Sequence, residues 1–213
     1  MKKGLTLIEA LVVIGILAVL FGIIYTIASS ARRKAKIIAC MNNLKQIGIA
    51  IRLYREDWGG RPPRKGTPMK WYELGLPPVA CRVLPKMGYV SKRVFICPSY
   101  NPKMHWVNPE LEDWKHCTYV DIVSEVAGAE NALRMGNLNP RAQGLLLQIV
   151  NWFQKEVSTK GNKAVIMYCP HHNKNLSNEA NARYLLLVLE LDGGVEKVWS
   201  IGTPCPYTCL RLV

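Results

Sequence analysis

Leu5 to Ala28 reads LTLIEALVVIGILAVLFGIIYTIA, and across these 24 residues the only side chain ionised at neutral pH is Glu9. At a rise of about 1.5 Å per residue, a helix of this length crosses the hydrocarbon layer of a bilayer, about 30 Å thick, with some length to spare. The stretch is therefore read as a membrane-spanning helix. A secretory signal has a shorter apolar region followed by a small-residue cleavage site. Here the run is long and passes straight into a second helical segment, so removal of the whole stretch is not expected. Gly15, Ala18 and Gly22 fall along one face of this helix. Either they let neighbouring helices approach closely, or they reflect the general frequency of glycine in membrane helices.

Glu9 needs a partner or an escape, because a carboxylate near the centre of a membrane helix costs about 2.5–3.5 kcal/mol. It lies within two turns of the helix start, so it can reach the headgroups. The sharper reading is chemical. A cut between Gly4 and Leu5 would create an α-amine one helical turn from Glu9, able to neutralise it within the chain or on a neighbouring copy.

Lys2-Lys3-Gly4 followed by Leu5-Thr6-Leu7-Ile8-Glu9 and the long apolar run resembles the type III signal of type IV prepilins and type II secretion pseudopilins. The resemblance implies that a membrane-embedded aspartyl prepilin peptidase cuts after Gly4 and methylates the amine of Leu5. It also implies that Glu9 docks each subunit into a growing filament by neutralising the N-terminal amine of its neighbour. The partners implied are copies of this chain, the peptidase, an inner-membrane assembly platform and, before assembly, membrane lipid. The location implied is the inner membrane for the precursor and the cell surface for the filament, or the periplasm for a pseudopilus. One departure is that many pilins carry a proline within this helix, whereas all 13 prolines here lie at or beyond Pro62. A second conflict concerns orientation. Arg32, Arg33, Lys34 and Lys36 outnumber the charges of the leader, and a bare positive-inside count would put that end in the cytoplasm. The resemblance puts the leader there instead, leaving the basic quartet at the outer headgroups, where it can bind anionic lipid.

From Ser29 to Trp58 the helical pattern continues but becomes amphipathic, with Cys40, Leu44, Ile47, Ile51, Tyr54 and Trp58 on one stripe. The stripe is expected to dock a head, with Cys40 as a small buried apolar residue rather than a reactive thiol. Gly59-Gly60 and Pro62-Pro63 end the helix. The expected organisation is a leader at 1–4, a filament-core helix at 5–28, the amphipathic half of the same helix at 29–58 and a head at 59–213. Uninterrupted, the helix would be about 80 Å long. The segment Asn42-Asn43-Leu44-Lys45-Gln46-Ile47-Gly48 is similar to an NLKQIG-type segment in a subgroup of pilin-like proteins. Cys97-Pro98-Ser99 and the arrangement of His172-Asn173 before Asp192-Gly193 are also similar to that subgroup, although Lys174 to Asn181 forms a longer polar insert.

The head is predicted to be α+β, a small antiparallel sheet packed on the long helix. A short helix is expected near Val79–Leu84, an apolar segment at Val94–Cys97 and an amphipathic helix over Gly144–Val157. Strands are expected over Ala164–Cys169, Arg183–Glu190 and Val195–Ile201. Asp192-Gly193-Gly194 is the hairpin turn between the last two, since its glycines reach left-handed conformations freely.

Seven cysteines are present, and Cys81, Cys97, Cys117, Cys169, Cys205 and Cys209 are spread through the head. An even set in an exported domain suggests disulfides of unassigned pairing. Zinc is not expected, because Cys169-Pro170-His171-His172, His116-Cys117 and Cys205 to Cys209 contain no CxxC knuckle. Calcium at Asp192 is discounted for want of oxygen ligands. No phosphate loop, nucleophile elbow or oriented nucleophile is present, so neither catalysis nor a cofactor is expected. The formal charge is +13, falling to +11 if Lys2 and Lys3 leave with the leader. That excess suits either a soluble surface or an anionic partner such as DNA. The function expected is a filament subunit, the alternatives being a secretion pseudopilin or a minor pilin that binds DNA.

Overall fold

Helix α1 runs Leu7–Asp57 without a break, as the apolar run and the stripe that follows it require. The computed structural model describes residues 7–100, 117–136, 138–172 and 183–201. The chain divides into two units, Met1–Ala39 and Cys40–Val213. The first carries the N-terminal part of α1. The second begins at Cys40 rather than at the glycines after Trp58, because the last turns of α1 are part of the head's own core.

That inclusion follows from side-chain burial. Cys40, Leu44 and Ile47 are fully buried and Ile51 and Tyr54 nearly so, which makes the stripe the helical wall of the head core. Its last predicted member differs: Trp58 is 60% exposed and stacks on Tyr54 at 5.5 Å between ring centroids. The helix has ended by then, at a turn in which Gly59 takes φ +67°. Gly60 is required by close packing, since a Cβ there would lie 2.5 Å from the Leu74 carbonyl oxygen. Arg55 ties the helix end to the loop beyond it. Its Nε donates to the Leu74 carbonyl at 2.7 Å, Nη1 to Leu191 at 3.3 Å and Nη2 to Arg61 at 3.4 Å.

A short helix α2 (Ala80–Lys86) and a 3₁₀ turn (Lys92–Phe95) follow. The turn is where an apolar segment was expected, and Ser91 caps it by accepting from the Arg93 N–H. Strand β1 (Val120–Asp121) leads directly into α3 (Ile122–Met135), a helix the hydrophobic pattern had not singled out. The signals were local ones. Asp121 accepts from the Val123 and Ser124 N–H groups as N-cap, and Gly136 ends the helix at φ +72°. The other oxygen of Asp121 accepts from the Ala80 N–H at 2.8 Å, joining the starts of α2 and α3. Helix α4 (Pro140–Lys160) begins with Asn139 as cap and Pro140 in its first turn, a pairing that presets the helical φ and satisfies a free N–H. It packs on α3.

Strands β2 (Val165–Cys169), β3 (Arg183–Glu190) and β4 (Val195–Ile201) complete an antiparallel sheet in the order β1-β2-β3-β4. The fold is thus α+β, a long N-terminal helix followed by a small antiparallel sheet, which is pilin-like architecture. β3 is buried on both faces from Tyr184 to Glu190, which explains its nearly unbroken apolar sequence. β4 pairs with β3 from Arg183↔Ile201 to Leu189↔Val195, and it places Glu196 and Lys197 in solvent, where charge discourages further strand addition. The connecting turn closes through the Gly193 N–H on the Glu190 carbonyl at 2.9 Å. Gly193 itself takes φ +85°. The Asp192 carboxylate accepts from the Gly194 N–H at 2.8 Å. The turn rests on α1 at Gly48, where an added Cβ would meet the Gly193 Cα at 3.0 Å.

Candidate functional site

Two features of the chain bear on function. The first is the N-terminal part of α1. Its most apolar 18-residue window has no buried residue, and Leu11, Ile14, Phe21, Ile24 and Ile27 are all exposed. By length and composition this helix is able to cross a membrane. Glu9 lies in its first turn and is exposed. Gly15 and Gly22 have open space where a Cβ would stand, and Ala18 lies on the same side of the helix by its spacing. Gly4 and Leu5, the predicted cut, lie outside the described residues.

The second feature is buried in the head. The ligand-type atoms of Cys40, Cys97, Cys169 and His172 all lie within 4.8 Å of one another. Each comes from a different local context. Cys40 is carried by α1, on the stripe that makes the core wall. Cys169 is the last residue of β2, and His172 follows in the turn that leaves the strand. Cys97 stands just beyond the 3₁₀ turn, in a bend closed by the Tyr100 N–H on the Cys97 carbonyl at 2.9 Å. Thr118 sets that bend against β1. Its hydroxyl accepts from the Cys97 N–H at 2.6 Å and donates to the Phe95 carbonyl at 3.2 Å.

Within the cluster, Cys97 Sγ and His172 Nε2 are 3.6 Å apart. The Ser99 N–H points at Cys97 Sγ from 3.4 Å, and the Tyr119 hydroxyl lies 3.4 Å from Cys40 Sγ. All three sulfurs are buried. Hydrogen bonds from Cys169 and Cys40, with His172 adding to them, hold the Cys97 thiol well below its ordinary value although burial opposes this. Cys169 goes the other way, raised by burial and then by its bonds to Cys40 and Cys97. Cys40 is pushed up to about 12: a bond with Cys169 acts to lower it, but the bond with Cys97, burial and the charge of Cys97 prevail.

The adjacent histidine has a different task. His171 Nε2 donates to the Thr118 carbonyl at 2.7 Å, and its ring meets Tyr100 edge-on at 5.3 Å. Burial lowers its pKa, favouring the neutral ring.

The structure describes four of the six cysteines named as possible disulfide residues, together with Cys40. Cys40, Cys81, Cys97, Cys117 and Cys169 are all free thiols, while Cys205 and Cys209 lie outside the described residues. Cys97 and Cys169 turn toward Cys40 and His172. Cys117 neighbours Cys81, and the bond between the two, followed by burial, raises its pKa well above the ordinary value. Sequence reasoning treated Cys40 as core filler and set Cys169 and His172 aside. The two-residue gap between Cys169 and His172, together with a cysteine on the buried stripe, was the only signal available.

Residues 1–25 match the Prokaryotic N-terminal methylation motif. That motif lies at the start of a long apolar helix that precedes an α+β head, and it supports a precursor of the type IV pilin or pseudopilin type. No match was found among curated proteins or among solved structures.

Proposed function

We propose that the chain is a structural subunit that waits in the inner membrane, loses residues 1–4 to a prepilin peptidase, and polymerises through α1 into a surface filament. The observation that carries this reading is the conjunction of the methylation motif with a helix whose most apolar 18-residue window has no buried residue among the described residues. A single protein leaves such a surface to lipid; a filament gives it to other copies of the same helix. Glu9 then serves as the acid that draws in the N-terminal amine of an adjacent subunit. Gly15, Ala18 and Gly22 supply the small-residue face along which neighbouring helices approach.

Intact-mass and N-terminal analysis of native assembled material tests the reading. The expected chain begins at Leu5 and carries one added methyl group, and Glu9→Ala abolishes or severely reduces polymer while precursor still accumulates in the membrane. A retained Met1 in assembled fibres, or undiminished polymer from Glu9→Ala, contradicts it. Long fibres containing this chain, seen by electron microscopy of cell-surface material, distinguish a pilus from a short periplasmic pseudopilus.

A further inference from the structure

We propose that Cys40, Cys97, Cys169 and His172 are the four ligands of a structural zinc ion that fastens the head core to the last turns of α1. The donor set is the first reason. Three thiols and an imidazole form one of the recurrent combinations of structural zinc sites, which bind the metal through four protein ligands and leave no position for water. Here four donors, three buried sulfurs and a half-buried imidazole, converge from three segments far apart in sequence.

Distance is the second reason. With Zn–S near 2.3 Å and Zn–N near 2.0–2.1 Å, a tetrahedral ion holds its donors about 3.5–3.8 Å apart. The Cys97–His172 pair already stands at 3.6 Å. No pair exceeds 4.8 Å, so closure around an ion moves any pair by about 1 Å or slightly more.

The third reason is the shell around the ligands. Outer hydrogen bonds orient metal ligands and compensate their charge. Three thiolates with a divalent ion and a neutral imidazole carry one net negative charge. The Ser99 N–H is already aimed at Cys97 Sγ, and the Tyr119 hydroxyl can donate to Cys40 Sγ once that sulfur has lost its proton. The Thr118 hydroxyl holds the Cys97 backbone in place. Binding is balanced by release of the protons that the free thiols carry.

A disulfide is the rival fate of clustered cysteines in an exported protein. It accounts for the cluster less well, because any one bond among three sulfurs leaves the third thiol and the imidazole without a role, whereas a tetrahedral ion uses all four donors. Soft thiolates also select against calcium and magnesium, and zinc, which has no redox chemistry of its own, suits an oxidising compartment.

The test uses the full chain, extracted in detergent from cells grown with ample zinc and purified without chelators. Metal analysis by mass spectrometry should find about one zinc per chain. An organomercurial that titrates thiols should release it, as seen with a colorimetric zinc indicator. Cobalt exchanged into the site should give thiolate-to-metal charge transfer and the intense visible bands of a tetrahedral ion. Cys97→Ser should lose the metal. Because that variant could fail to fold, His172→Cys is made beside it, and it should keep the metal while shifting the cobalt spectrum. Cys81→Ser, outside the cluster, should keep both metal and spectrum. Absence of stoichiometric zinc together with failure of the reduced chain to take up cobalt overturns the proposal. A disulfide among Cys40, Cys97 and Cys169 in the native chain does so too, as does iron in place of zinc.

Discussion

Alanine at Gly48 and alanine at Gly144 should move stability in opposite directions, although both glycines lie inside helices. In isolation each replacement favours the helix by about 1 kcal/mol, because glycine loses more backbone entropy on folding. Gly144 is exposed on α4, and a Cβ there meets nothing within 4 Å, so the gain is kept whole. At Gly48 the new methyl would lie 2.9 Å from Leu189 Cδ1, 3.0 Å from the Gly193 Cα and 3.3 Å from the Gly193 oxygen. Leu189 is fully buried and has nowhere to turn. Gly193 is backbone, held by its own turn and by the Arg52 guanidinium on the neighbouring Asp192 carbonyl. Forcing a methyl into such a contact costs about 1–3 kcal/mol, which outweighs the propensity gain and leaves a net loss of about 1 kcal/mol. Thermal unfolding of the full chain in detergent, followed by near-ultraviolet circular dichroism, should show Gly144→Ala melting about 2–4 °C higher than the parent and Gly48→Ala lower by a similar amount. If Gly48→Ala were to stabilise as Gly144→Ala does, α1 would not be seated on the β3–β4 turn as closely as described.

Two other perturbations address the head. Arg55→Ala removes the donor shared by three backbone carbonyls and should cost about 2–3 kcal/mol in urea unfolding. Arg55→Lys should recover less than half of that, because an ammonium cannot reproduce the guanidinium fork; full recovery would mean that charge alone matters there. Asp121 supplies a pH signature, since burial raises its pKa from 3.8 to about 6 in spite of three backbone N–H donors. Between those values the folded chain binds the proton more tightly than the unfolded one. The contribution is therefore fully present below pH 3.8 and is lost as pH rises through about 6, a change of about 3 kcal/mol at 1.36 kcal/mol per pH unit. The stability difference between the parent and Asp121→Asn should follow that slope and level off above it. A flat difference from pH 4 to 7 would exclude it.

What could be read from the chain directly was whatever short-range chemistry specifies. The apolar run, the stripe from Cys40 to Tyr54, the Gly59-Gly60 stop and the Asp192-Gly193 turn each act within a few residues, and each lies where the pattern put it. So does the N-terminal motif, which is contiguous. Helix α3, which the hydrophobic pattern does not single out, is set by signals that are equally local, the Asp121 cap and the Gly136 terminus. The thiol cluster is a different case. Nothing in the local sequence around Cys40, Cys97 or Cys169 tells a core-filling cysteine from a ligand, because the distinction rests on which other donors lie within a few ångströms. Only the packing of α1 against the sheet, with Thr118 drawing the Cys97 bend onto β1, brings four residues separated by up to 132 positions into one small volume. Local propensity determines the elements, whereas a site built from distant donors exists only after burial of the shared core has chosen their neighbours.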